Sequence, residues 1–136
     1  MRSLLLVLAA ALFTAAAVPA AAQQKPAREP VFDGRPLSAW LADLQSRPPS
    51  VRNAAAYAIS SMGPAAASAT PALIAALDDT TPNTVRYAVL VALREIGPGA
   101  RAALPRLEQL LDDRNDDIVH AAKKAIRSIK GEHATP

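Results

Sequence analysis

The chain has 136 residues, with 15 basic and 12 acidic side chains, two histidines and no cysteine. That length holds one modest domain, and the absence of thiols excludes disulfides, a lipoprotein-type attachment site and thiolate metal or nucleophile chemistry. A net charge of +3 is too small an excess for the field that nucleic-acid binding rests on, so no nucleic-acid partner is expected.

Residues 1–22 read as a secretory signal. Arg2 supplies the positive start, and residues 4–17 form an apolar run short for a bilayer span. Ala20, Ala21 and Ala22, following Pro19, resemble a cleavage site. The expectation is an exported protein, periplasmic or secreted in a bacterium, with no transmembrane domain after cleavage; retention of the run as an anchor is the alternative. Cleavage leaves 14 basic against 12 acidic residues. Residues 23–31, QQKPAREPV, are polar, carry two prolines and lack an apolar period. They are expected to form a disordered tether, with the folded part spanning 32–133.

Three copies of one pattern follow, at about 36–63, 64–97 and 98–131, and self-similarity at this period marks a stack of helical hairpins. In the first copy, Asp33 and Gly34 form a turn, Pro36 opens a helix, and Leu37, Trp40, Leu41 and Leu44 share a core face. The second helix of that copy carries Val51, Ala54, Ala55, Ala58, Ile59 and Met62 on its apolar stripe and closes at Gly63-Pro64. The second copy repeats the scheme. Pro71 precedes Leu73, Ile74 and Leu77; after a polar loop, Thr84 is the expected N-cap of a helix burying Val85, Ala88, Val89, Ala92, Leu93 and Ile96, closed by Gly97-Pro98.

The third copy fits only when slid by one residue. A uniform spacing would bury Lys123, Arg127 and Lys130, which is strongly unfavourable. The slid register instead buries Ile118, Ala121, Ala122, Ala125, Ile126 and Ile129, with Asp116 or Asp117 as N-cap, and leaves the 77–85 loop one residue longer than its counterparts. At the two ends, Phe32 with Trp40 and the basic residues Lys123, Lys124, Arg127 and Lys130 are expected to cover the stack.

The runs ATPALIAALDD and VRYAVLVALREIGP resemble HEAT-like repeats, including the bacterial subtype of bilin-lyase-like proteins, over residues of about 36–131. The resemblance implies an all-α fold, a short right-handed α-solenoid of about three helical hairpins, whose second helices line a binding surface. In that family the arginine of the second helix often joins an acidic residue in a ladder along the stack. Here the acidic sites are occupied by Pro48, Pro82 and Asn115 and the third copy has Val119 in place of arginine, so Arg52 and Arg86 are expected to bridge to neighbouring loops instead. The acidic loop pairs Asp78-Asp79 and Asp112-Asp113 are their expected partners.

Opposite each buried stripe, the second helices are expected to present Asn53, Ala56, Tyr57 and Ser60; Tyr87, Leu90, Val91 and Arg94; and His120, Lys123, Lys124 and Arg127. From these, Asn53, Tyr57, Tyr87, Leu90, Val91, Arg94, His120, Lys124 and Arg127 are the candidate binding residues, with Tyr87, Leu90, Val91 and Arg94 as the anchor-like group. The competing reading packs the tyrosines and Leu90 against the neighbouring repeat. The basic run suits a partner with an acidic face, or simply a solvated cap.

No catalytic motif, metal site or cofactor is expected. His120, Asp116 and Asp117 lie so close in sequence at a helix start that they do not point one way, so a surface histidine is expected there rather than a metal site, and Asp43 and Glu95 lack a carboxylate partner at catalytic spacing. The expected function is a non-enzymatic, monomeric module that binds an unidentified protein. An accessory of a lyase-like HEAT enzyme and a self-associating spacer are the alternatives.

Overall fold

The computed structural model describes residues 28–78 and 81–132. The expected signal, most of the expected tether, Asp79 and His133 lie outside them. A two-stranded hairpin, β1 (Val31–Phe32) and β2 (Arg35–Pro36), opens the fold. Asp33 and Gly34 form its turn with φ of 50° and 71°, the pair of positive values that a two-residue hairpin favours.

Among the described residues, six α-helices follow as three hairpins. α1 (Leu37–Leu44) pairs with α2 (Pro49–Met62), α3 (Thr70–Ala76) with α4 (Asn83–Ile96), and α5 (Leu104–Gln109) with α6 (Asp116–Lys130). α2, α4 and α6 lie side by side as one layer, with α4 in the middle. Alanine is frequent among their buried positions, including Ala55, Ala56, Ala88, Ala92, Ala121 and Ala122, and such small side chains let packed backbones approach closely at little cost in side-chain entropy. The whole is an all-α repeat with one continuous core.

Between hairpins the chain does not simply break after Gly-Pro. Gly63–Ala69 and Gly97–Ala103 are 3-10 segments, each kinked at the matching alanine, Ala66 and Ala100. Gly97 ends α4 with φ 67° and ψ −136°, a conformation open essentially to glycine alone. The two connectors touch so closely that a Cβ on Gly99 would stand 2.8 Å from the Cβ of Ala67.

The stripe expected on α4 is buried at every position. The slid register of the third copy also holds: Ile118, Ala121, Ala122, Ala125 and Ile129 are buried, and Ile126 partly so. The adjustment is made differently from the expectation. The same number of residues separates Leu77 from Val85 and Leu110 from Ile118, and a 3-10 turn at Leu110–Asp112 brings Leu110 inward in place of Leu111.

Several local expectations are corrected. In α2, Ala54 is exposed and Ala56 fully buried. Pro82, extended at ψ 148°, is the N-cap of α4, so Thr84 sits inside the first turn. Asn115 caps α6, its Oδ1 accepting from the N–H groups of Asp117 and Ile118 at 2.9 and 3.3 Å. Asp116 and Asp117 instead occupy the first turn, where their charge complements the helix dipole.

The front of the stack is closed by the hairpin. Trp40 is partly buried against the core; its Nε1 donates to the Phe32 carbonyl at 3.3 Å, and the Arg35 guanidinium lies 3.9 Å above its ring centre. Arg35 also donates to Asp43 at 2.8 Å. Ordered contacts begin before Phe32: the Pro30 carbonyl accepts from Leu37 N–H at 2.9 Å, and the Glu29 carboxylate accepts from both the N–H and the hydroxyl of Ser38.

Candidate functional site: a tyrosine-lined groove

An open groove of about 510 Å3 crosses the layer of second helices near their N-terminal ends. Asn53 and Tyr57 of α2 form one wall, Asn83, Thr84 and Tyr87 of α4 the middle, and Asn115, Asp117 and Ile118 the far side. Tyr57 and Tyr87 are 44% and 42% exposed. They occupy different offsets on their own helices, and the packing of α2 against α4 brings both to one opening.

The asparagines are held in defined orientations. Only the oxygen of a carboxamide accepts from a backbone N–H, so the capping bonds of Asn115 set its Oδ1 toward α6 and leave Nδ2 to donate elsewhere. Asn83 is fixed similarly, its Oδ1 accepting from Arg86 Nη1 at 3.1 Å.

Of the expected binding residues, the groove gathers Asn53, Tyr57 and Tyr87. Leu90 is a correction: it is fully buried, because α4 is covered by helices on both sides and its inward arc is wider than one stripe. Val91 is partly buried. Arg94 is held by its neighbour Glu95, with Nη2 2.6 Å and Nε 2.9 Å from Oε1, while its carbonyl accepts from Ser128 Oγ at 2.7 Å. His120, Lys124 and Arg127 are exposed on α6 without lining the groove. Sequence reasoning missed Asn83, Thr84, Asn115 and Asp117. The available signal was an asparagine just ahead of each of the last two apolar stripes.

A second, wider pocket of about 900 Å3 lies at the loop edge. Arg86 crosses it to the Asp113 carboxylate of the next hairpin, and Arg106 reaches back to Asp78 at 3.1 Å and to the Leu77 carbonyl at 3.2 Å. Its charges therefore largely neutralise one another. The Arg86 hydrogen bond, seconded by the Asn115 N–H, outweighs desolvation and holds the Asp113 carboxyl below the usual carboxylate range. Arg52, expected to act like Arg86, donates instead to the carbonyls of Ser46 and Arg47 in its own loop, at 2.8 and 2.6 Å.

With two helices per repeat, glycine-closed second helices and an arginine tying one hairpin to the next, the architecture meets its sequence counterpart: a family model for HEAT repeats matches residues 37–127. The chain belongs to the HEAT repeats. HEAT repeats commonly act as protein-interaction scaffolds, and the HEAT match leaves the hairpin at 31–36 outside it. No curated protein matches the sequence significantly. Among the described residues of this HEAT chain, no cluster of three metal-ligating side chains occurs, and no helix is long and apolar enough to cross a membrane.

Proposed function

We propose that the protein is an exported, non-enzymatic scaffold that binds a partner protein through the face of its second helices. The observation that carries the reading is the pair Tyr57 and Tyr87, large and partly apolar side chains left exposed at one groove. Aromatic groups of this kind, rigid and amphipathic, are the usual anchors of protein interfaces. Apart from Ile118, the groove's remaining chemistry is asparagine, threonine and one carboxylate, which suits hydrogen-bonded recognition. His120, Lys124 and Arg127 continue the exposed surface along α6 and favour acidic groups on a partner that extends that far.

The reading includes a monomer. Ala56 and Leu90, at matching positions of α2 and α4, are each buried, and the corresponding position of α6 is the exposed Lys123. A charge where a further repeat would pack disfavours continued stacking. It also includes export, which rests on the sequence of residues 1–22. N-terminal sequencing of protein recovered from the cell envelope should begin at Gln23; recovery of an intact Met1 from the cytoplasm would remove that part.

The binding face is tested by crosslinking in the native envelope, comparing the unaltered chain with a Tyr57→Asp, Tyr87→Asp variant. A specific crosslinked partner is expected with the first and lost with the second. Equal recovery from both would refute the assigned face.

A further inference from the structure

We infer that the groove between Tyr57 and Tyr87 takes an extended polypeptide segment carrying a lysine or arginine, which inserts beside Tyr87 toward Asp117. The inference rests on the reading of this face as a partner site and names the chemistry of what enters it.

Two observations select an extended chain. Asn83 and Asn115 both line the groove, and both have Oδ1 engaged by the protein's own donors. What they offer a ligand is therefore N–H donation, which calls for free carbonyl acceptors. A helix uses its carbonyls internally, whereas an extended segment leaves them available. The two asparagines stand at the starts of adjacent helices, packed about 8–10 Å apart. Carbonyls on one side of an extended chain recur about every 7 Å, so a segment of three or four residues reaches from one amide to the other.

Charge selects the side chain. Asp117 is the charged residue among the groove's lining, in a chain whose net charge is +3. Its backbone N–H serves the cap of α6, while no described cation pairs with its carboxylate. A carboxylate that shares a groove with an exposed tyrosine ring matches a lysine or arginine, whose cation is attracted to the ring face and whose methylenes cover its edge. An acidic segment would meet Asp117 with like charge and gain nothing from the ring. Tyr57, on α2 with α4 between it and the helix that carries Asp117, is left for an apolar or proline residue of the same segment.

The test is selection of random dodecapeptides displayed on phage against the full chain, followed by affinity measurement of the enriched peptides on the unaltered protein and on Tyr87→Ala and Asp117→Asn. Both substitutions replace exposed side chains, and circular dichroism checks that each variant keeps its helix content. Enrichment of lysine or arginine at one position is expected, with binding weakened roughly tenfold by either variant. Enrichment of acidic or amphipathic-helical peptides, absence of any enrichment, or equal affinity for the variants overturns the inference. If a partner crosslinks in a tyrosine-dependent way but basic peptides neither enrich nor displace it, the inference fails while the assigned face stands. If the crosslink is independent of the tyrosines, the face itself fails.

Discussion

Arg86 of α4 donates to the carboxylate of Asp113, twenty-seven residues on and in the next hairpin, with the two side chains only 13% and 17% exposed. This contact joins two repeats at their loop edge, and the partial burial removes much of the solvent screening that makes surface pairs weak. Arg86→Ala or Asp113→Ala should each lower stability by about 1–3 kcal/mol, since each strands a poorly hydrated partner. A double-variant cycle in urea should return a coupling of about 1–2 kcal/mol. A coupling indistinguishable from zero would mean the pair is geometrically present and energetically idle.

The same carboxylate predicts a pH response. Its folded pKa lies below the unfolded value of about 3.9. The unfolded state therefore binds the proton first, and the contribution is complete above that value and lost as pH falls through the folded one. Melting temperatures of the unaltered protein should drop more steeply below about pH 4 than those of Asp113→Asn. Parallel profiles would count against the assignment.

Leu90 and Tyr87 lie one helical turn apart and should behave oppositely. Leu90→Ala opens a cavity between α4 and its neighbours and should cost about 2–5 kcal/mol, read by denaturant unfolding. Tyr87→Ala should change stability by less than about 1 kcal/mol while removing partner binding. A destabilised Tyr87→Ala would indicate a packing role for the ring.

This contrast marks how far periodicity reaches. The stripe Val85, Ala88, Val89, Ala92, Leu93 and Ile96 was legible because one face of α4 always meets its hairpin partner. Leu90 was not, because a middle helix is covered from a second direction, and that depends on how adjacent repeats lean. The stack, its closing glycines and the slid third copy were legible from the apolar pattern. The groove was legible only in its tyrosines and Asn53: its asparagines flank helix starts, and these were displaced when Pro82 took the cap position over Thr84 and Asn115 took it over the aspartates.

Gly99→Ala tests the contact between connectors. Its Cβ would stand 2.8 Å from that of Ala67, and the segments must separate to admit it. A loss of about 1–3 kcal/mol is expected, with Gly99→Ala, Ala67→Gly restoring part of it. No recovery in the double variant would place the strain elsewhere.

Lys123→Leu tests the proposal that a charge on α6 closes the stack. It places at the third repeat the residue type that Leu90 supplies in the second. Light scattering should give a mass independent of concentration for the unaltered chain and one that rises with concentration for the variant. A variant that stays monomeric would show that other charges on α6 already suffice.

Glu29 bonds both donors of Ser38 from outside the helix and outside the HEAT match. The family's boundary is therefore not the folding boundary. A chain trimmed to begin at Leu37 would keep every repeat helix and lose the carboxylate that anchors the first of them, together with Arg35, the lid over Trp40. Fraying would start at that end and pass to α2, whose Asn53 and Tyr57 form one wall of the groove. A cut downstream of Glu29 should accordingly loosen that wall, whereas one upstream of it leaves the anchor in place.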